Sequence, residues 1–302
     1  MIVTVTLNAA IDLTYQVSGA DWDGVNRVQA VHRRAGGKGI NVARVLAACG
    51  HEVLVTGLAG GTTGDAIQAD LRKAGLPAAL TPVAGDSRTT LVVSDDSPAR
   101  AALFNEPGPE VTPEELQRFL DDFEARMAGA DAVVISGSLP RGVPTDVYAT
   151  LAAIAAKAGV PSIVDADGEP LRHAPAGQPT IMKPNAEELA RALPGGTPAE
   201  SAQVLRGAGA GAVVVSMGAD GLLAVTPEGE FRARMPYKVE GNPTGAGDSL
   251  VAGLAMGLVE RTPWPERLRR AAALGAAAVA APVAGDFSRD VYAEILPKIV
   301  IS

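Results

Sequence analysis

Short runs of β-branched and aliphatic residues alternate with segments of helical periodicity along most of the chain. This is the signature of a parallel sheet covered by helices on both faces, in which strands buried from both sides read as continuous apolar runs. Residues 2–7, 53–58, 132–136, 162–165, 180–182 and 212–216 read as such strands. Between them, Val42, Val45, Leu46 and Cys49 recur at helical spacing, as do Leu116, Phe119, Leu120 and Phe123. Thr112-Pro113-Glu114-Glu115 predicts a helix start with a capping box, and Thr145 is expected to open the next helix in the same way.

Two stretches break this rhythm. Residues 13–17 with 28–33, and 88–94 with 101–105, read as short strands in hairpin-like pairs with no helix between them, enough for a small second sheet. From Gly245 onward the pattern is mainly helical, interrupted at Pro263-Trp264-Pro265. No internal repeat, low-complexity linker or charge block divides the 302 residues, so one domain over residues 1–302 is expected.

Composition narrows the function classes. A net charge of −8 argues against non-specific attraction to nucleic acid or an anionic membrane, so any anion must be captured locally. Cys49 is the only cysteine, which excludes an intramolecular disulfide and a cysteine-rich zinc site. The three histidines, His32, His51 and His173, share no metal-ligand spacing. The start lacks the pattern of a signal peptide, and the Ala-rich run near residues 271–284 is short of a membrane span. A soluble, cytoplasmic protein is the expectation. The unusual tally is 34 glycines, and several of them fall in the segments that carry chemistry.

Gly245-Ala246-Gly247-Asp248-Ser249 precedes an apolar helical run. Small residues at a helix start leave backbone N–H groups bare at the positive end of the helix dipole, which makes an anion site. Asp248 would repel a phosphate but can accept a proton from a hydroxyl aimed at phosphorus; a capping Asp at a Gly-rich helix start is the plain alternative. A dinucleotide fingerprint fails because Leu250 occupies the third glycine position. Gly36-Gly37-Lys38-Gly39-Ile40-Asn41 offers close backbone approach, a mobile cation and an amide on the first turn of a helix. It is not a Walker A loop, since Gly39 rather than Ser or Thr follows Lys38. Asp12, Ser138, Lys183 with Asn185 and Glu188, and Ser216 with Gly218 and Gly221 each follow a strand, where open α/β sheets place their ligand crevice. Arg88 and Arg27 each begin an accessory strand, and a solvated surface charge is the plain alternative for both.

Taken in order, Thr6-Leu7-Asn8-Ala9-Ala10-Ile11-Asp12, Gly36-Gly37-Lys38-Gly39-Ile40-Asn41-Val42-Ala43, Ser136-Gly137-Ser138-Leu139-Pro140, Lys183-Pro184-Asn185 with Glu188, and Gly245-Ala246-Gly247-Asp248 resemble the ribokinase-like (PfkB) sugar kinases. Within them the similarity is to the 1-phosphofructokinase and tagatose-6-phosphate kinase branch, over nearly the whole chain. The resemblance implies an α/β fold, a three-layer α/β/α core with a mostly parallel sheet, and a small β-sheet lid built from about residues 13–33 and 88–105. The implied reaction is transfer of the ATP γ-phosphoryl group to a ketohexose phosphate with Mg²⁺, fructose 1-phosphate being preferred over tagatose 6-phosphate or a 6-phosphofructokinase activity. A non-catalytic sugar-phosphate or nucleotide sensor is the alternative from a different class.

By the same resemblance, Asp248 matches the catalytic base and the N–H groups of Gly245, Ala246 and Gly247 an anion hole. Asp12, Gly37, Lys38, Asn41 and Ser138 match sugar positions, with Lys38 and Arg88 on the sugar's existing phosphate and Arg27 as a third candidate. Lys183, Asn185, Ser216, Gly218 and Gly221 match the nucleotide side, and Glu188 the magnesium position, through water. The implied partners are ATP, a small phosphorylated sugar and a second copy of the chain docked through the lid. One departure stands out: the branch carries an asparagine and then a lysine after the lid arginine, whereas Arg88 is followed by Thr89-Thr90-Leu91-Val92-Val93.

Overall fold

The computed structural model describes residues 1–96 and 99–302, without the side chains of residues 96 and 99–101, so positions 97 and 98 of the expected lid stretch lie outside the described residues. In chain order the strands are β1 (Ile2–Thr6), β2 (Ala10–Val17), β3 (Ala30–Gly36), β4 (Val53–Gly60), β5 (Ala78–Val83), β6 (Arg88–Asp96) and β7 (Ala99–Asn105). They continue with β8 (Ala132–Ser136), β9 (Ser162–Asp165), β10 (Ile181–Met182), β11 (Ala212–Ser216), β12 (Leu222–Thr226), β13 (Gly229–Arg234) and β14 (Val300–Ile301). The helices are α1 (Lys38–Ala48), α2 (Gly61–Lys73), α3 (Pro113–Arg126), α4 (Val147–Lys157), α5 (Gly168–His173), α6 (Ala186–Ala192), α7 (Pro198–Gly207), α8 (Ala246–Val259), α9 (Trp264–Val279) and α10 (Arg289–Ile295).

The large sheet runs β14-β13-β12-β11-β10-β9-β8-β1-β4-β5. It is parallel from β11 to β5 and antiparallel beyond β11. Side chains of its central strands alternate between two apolar layers. Ile2, Val134 and Val214 join the layer that includes Leu46 of α1, Val251 of α8 and Leu274 of α9. Val3, Val5, Val133, Ile135, Val213 and Val215 join the layer of Phe119 and Phe123 of α3 and Leu151 of α4. Burial on both faces is why these strands read as unbroken hydrophobic runs.

The second sheet has the order β3-β2-β6-β7. β2 pairs antiparallel with β3 and parallel with β6, and β6 pairs antiparallel with β7, so the two irregular stretches combine into one sheet as expected. It departs from the chain directly after β1 and returns directly into α1, which places it over the carboxyl ends of the central strands.

Local signals set the helix starts. Thr112 accepts from Glu115 N–H while the Glu115 carboxylate accepts from Thr112 N–H, the capping box expected for α3. Thr197 and Glu200 repeat it at α7. Thr145 does not cap α4: the Val147 N–H closes a turn on the Pro144 carbonyl, Asp146 takes the cap position without a side-chain bond, and the helix begins at Val147. The strands expected from the sequence did not include β5, whose Pro82 fits an edge strand, nor the antiparallel ribbon β12–β14, although β12 is itself an apolar run, Leu222–Thr226.

Candidate active site

The sheet order lays the candidate residues out in a row. β11, β10, β9, β8 and β1 are consecutive neighbours and parallel, so their carboxyl ends deliver Ser216, Lys183, Asp165, Ser138 and Asn8 to one rim. At about 4.8 Å per strand, that rim extends over roughly 19 Å, the scale of a nucleotide triphosphate tail and a sugar set end to end. The amino ends of α1 and α8 meet above its middle.

Asp248 lies on the first turn of α8 and is 6% exposed. Its Oδ2 accepts a 2.8 Å hydrogen bond from Asn41 Nδ2 on the first turn of α1. Burial pushes its carboxyl up to about 6, with the Lys38 ammonium pulling the other way and the Asp165 carboxylate adding to the rise. A carboxylate so tuned is ionised at neutral pH yet basic enough to take a proton. Gly245 precedes it at φ +84°, a backbone region costly to side chains, and a β-carbon there would stand 2.9 Å from Ala284 Cα. The Lys183 ammonium stands 3.4 Å from the place of a Gly247 β-carbon, so a cation faces the bare helix end. The Ala246 N–H already donates to the Pro243 carbonyl at 3.1 Å, which sets it apart from Gly245 and Gly247 in the expected trio of anion donors.

Lys38, at the start of α1, lies 3.3 Å from both carboxylate oxygens of Asp165 and 3.8 Å from Glu188 Oε1. Burial alone would depress this lysine, but Asp165, Asp248 and Glu188 together hold it above its ordinary value. Asp165 also receives Lys183 at 3.2 Å and is 1% exposed. Burial would raise this carboxyl, and the two lysines, Lys183 first, hold it below the usual carboxylate range. Asp165 belongs to none of the motifs singled out in the sequence. Its only local signal is a lone acid at the end of an apolar strand, and its partners lie far away in the chain.

A groove of about 580 Å³ opens beneath the small sheet, lined among others by Asn8, Gly37, Lys38, Arg88, Ser138 and Arg141. Arg88 donates from Nε to the Asn8 carbonyl at 3.1 Å and from Nη1 to the Glu106 carbonyl at 3.4 Å, so it is mounted on the groove wall. Asn8 Nδ2 reaches Ser138 Oγ and the Pro107 carbonyl, both at 3.2 Å, tying three loops together. Asp12, on β2, lies so close over Gly36 that a β-carbon there would overlap its carboxylate. Burial lifts Asp12 to about 6 against the pull of Arg88. A second pocket of about 640 Å³ shares Lys38 and Ser138 and adds Asp167, Glu169 and Glu188. Arg27 is exposed on the β2–β3 connection and lines neither cavity.

On the other flank, Asn185 caps α6 by accepting from Glu188 N–H, and Glu188 Oε2 accepts from Asn185 N–H, each at 2.8 Å. That leaves Glu188 Oε1 facing Lys38. Asn185 and Ser216 form a parallel bridge, and Ser216 N–H donates to the Pro184 carbonyl at 3.1 Å. Gly218 and Gly221 turn the chain just beyond, with Met217 N–H donating to the Gly221 carbonyl at 2.9 Å. The nucleotide-side candidates are thus contiguous. Among the described residues, no group of three or more His, Cys, Asp or Glu is placed to hold a metal by itself, and no helix is long and apolar enough to cross a membrane.

Residues 5–290 match the pfkB family carbohydrate kinase pattern. Phosphofructokinase-2 from Escherichia coli, solved in complex with potassium, superposes with a TM-score of 0.92 at 31% identity, covering 98% of each chain. The tetrameric inhibited form of the same enzyme gives a TM-score of 0.90 at 31% identity, again over 98% of each chain. A candidate 1-phosphofructokinase from Thermotoga maritima gives 0.90 at 25% identity, over 100% of this chain and 99% of that one. A match across almost the whole chain, on a ribokinase-like fold with this rim, leads to one conclusion: the chain belongs to the pfkB family of carbohydrate kinases and is an ATP-dependent sugar kinase.

Proposed function

We propose that this kinase phosphorylates a ketohexose phosphate, with fructose 1-phosphate converted to fructose 1,6-bisphosphate as the preferred reaction. The observation that carries the reading is the buried Asp248, held by Asn41 at the seam between the groove of Lys38 and Arg88 and the helix end faced by Lys183. The cations Lys38, Arg88 and Arg141 in the groove lining suit a substrate that already bears a phosphate, which a neutral sugar would not require.

In this reading the sugar lies in the groove with its phosphate on Lys38 and Arg88 and its hydroxyls against Asp12, Gly37, Asn41 and Ser138. Asp248 takes the proton of the attacking hydroxyl as the new O–P bond forms and the bond from Pγ to the β,γ-bridging oxygen breaks. The negative charge developing on the transferred group is met by the N–H groups of Gly245 and Gly247 and by Lys183, donors that need no reorganisation at the moment of transfer. Ala246 joins them only by releasing Pro243. Asn185, Ser216, Gly218 and Gly221 flank the nucleotide. A divalent ion fits the donor set sparingly: Glu188 keeps one carboxylate oxygen outside the capping box, and magnesium on nucleotide phosphates retains much of its water. Bound there with ATP, Mg²⁺ would neutralise phosphate charge.

A 6-phosphofructokinase reading has an observation of its own in favour. The lid lysine typical of the 1-phosphofructokinase branch is absent after Arg88, and an E. coli phosphofructokinase-2 structure in complex with fructose-6-phosphate is 31% identical. A coupled assay for ADP release over fructose 1-phosphate, fructose 6-phosphate and tagatose 6-phosphate separates the three. The highest kcat/KM on fructose 1-phosphate supports the first reading, and a tenfold preference for either 6-phosphate replaces it.

The whole chain would act as one kinase domain with its lid, in the cytoplasm and as a homodimer. Trp22 is 67% exposed beside the lid with its ring 6.4 Å from that of Phe104, and Val25, Val31 and Leu103 are also exposed. An apolar patch of that kind on a surface element suits a partner surface. Light scattering of the purified chain tests it.

A further inference from the structure

Asp165 is the most enclosed charge in the rim and belongs to neither ligand side. It ends β9, which lies between β10, leading to Lys183, and β8, leading to Ser138. Its Oδ1 is 3.2 Å from the Lys183 ammonium, and both its oxygens are 3.3 Å from the Lys38 ammonium. Lys183 is 3% exposed. One carboxylate therefore serves two cations, one facing the sugar groove and the other the bare end of α8. Glu188, at 3.8 Å, is a weaker second partner for Lys38 and is already engaged with Asn185.

We propose that Asp165 is a positioning residue that couples the two halves of the site, holding Lys38 and Lys183 through a single shared carboxylate so that the state of one lysine sets the availability of the other. The inference rests on the assignment of Lys38 to the sugar side and Lys183 to the nucleotide side. A buried carboxylate divided between two ammonium groups holds each less firmly than it would hold one alone. When the sugar phosphate draws Lys38 toward itself, Asp165 tightens on Lys183 and fixes it against the α8 end. Removing the Lys38 charge should do the same without any sugar present, leaving Lys183 more firmly held and less free to meet an incoming phosphate. The effect should vanish when Asp165 carries no charge.

A double-mutant cycle read on nucleotide binding tests this. The Kd of magnesium AMP-PNP is measured by calorimetry, with no sugar added, for the wild type, Lys38→Met, Asp165→Asn and the double variant. We expect Lys38→Met to raise Kd at least threefold in the wild-type background and less than 1.5-fold in the Asp165→Asn background. Equal ratios in the two backgrounds overturn the coupling while leaving the sugar-kinase reading intact. Failure of the wild-type protein to bind the nucleotide would instead count against the placement of the nucleotide site. Asp165→Glu guards against loss of folding in Asp165→Asn, because it keeps the charge and moves it by one methylene. For Asp165→Glu, circular dichroism should report a folded chain, and steady-state kinetics a turnover at least tenfold lower with KM for both substrates within threefold. Wild-type turnover in that variant overturns the positioning role.

Discussion

The side-chain amide of Asn41 donates to the carboxylate of Asp248 across 2.8 Å, joining the amino ends of two helices whose residues are 207 positions apart. The bond holds the carboxylate in one orientation and favours its ionised form against the opposing effect of burial.

Replacing Asn41 with leucine removes that donor. A hydrogen bond to a charged group contributes about 1.5–3 kcal/mol, which corresponds to about 1–2 pH units. With Asp248 near 6 in the wild type, the acid limb of the kcat/KM profile should lie near pH 6 and move upward in Asn41→Leu. A pH profile of the variant checks this, and an unmoved limb would show that the limb belongs to another group.

Asp248→Asn should cut turnover by about 10²–10⁴, the usual contribution of a general base, while nucleotide affinity stays within a few-fold. The same change should stabilise the fold. Its folded carboxyl titrates at about 6 against an ordinary 3.8, so the stability this group contributes is full below the unfolded value and lost as pH rises through 6. At pH 8 the wild type carries the buried charge and the variant does not, a difference on the order of 1–3 kcal/mol. Thermal unfolding at pH 8 should show a higher midpoint for Asp248→Asn, and the gain should shrink toward pH 4.

Gly245→Ala tests the helix end by shape alone. A methyl group at φ +84° and 2.9 Å from Ala284 Cα forces either the Gly245 turn or the 284–285 segment to shift. Backbone strain of this kind costs about 1–3 kcal/mol. Turnover should fall at least tenfold with the KM for the sugar little changed, because the groove lies on the other side of Asp248. Steady-state kinetics beside a thermal melt separates lost catalysis from lost folding.

Arg88→Met removes a cation that hangs from the Asn8 and Glu106 carbonyls and touches neither Asp165 nor Lys183 among the contacts described. Loss of charge-assisted bonds to a phosphate should raise the sugar-phosphate KM by about 10- to 100-fold. Nucleotide affinity without sugar should stay within twofold. An unchanged sugar KM would place the substrate phosphate away from Arg88.

Much of this was legible in the sequence because its causes are local. The capping boxes of Thr112 with Glu115 and Asn185 with Glu188 are written within four residues, and strands covered on both faces announce themselves as apolar runs. The small sheet was also readable, since strands without intervening helices leave nowhere else to pair. Non-local causes left weaker traces. Asp165 acquires its importance only when Lys38, 127 residues away, and Lys183 converge on it. β5 and β13 carry mixed polar faces at the sheet margins, where periodicity is faint, whereas β12 is a buried apolar run, Leu222–Thr226, that the strands expected from the sequence did not include. Arg27, a candidate for the sugar's phosphate only by the resemblance, was expected to begin an accessory strand, yet β3 begins only at Ala30 and Arg27 is exposed on the connection before it.

The parallel pairing of β2 with β6 has a mechanical meaning. It stitches two separate excursions of the chain into one plate, tethered at β1, α1, β5 and the segment after β7. A flap hung from a single hairpin can peel away strand by strand, whereas a plate moored at four corners tilts as a whole. Any tilt is transmitted to Asp12 on β2 and to Arg88 at the start of β6, which sit side by side near one mooring, where Ala10 pairs with Arg88. Asp12 and Arg88, carried on one plate, therefore keep a fixed spacing from each other whatever the orientation of the plate over the groove.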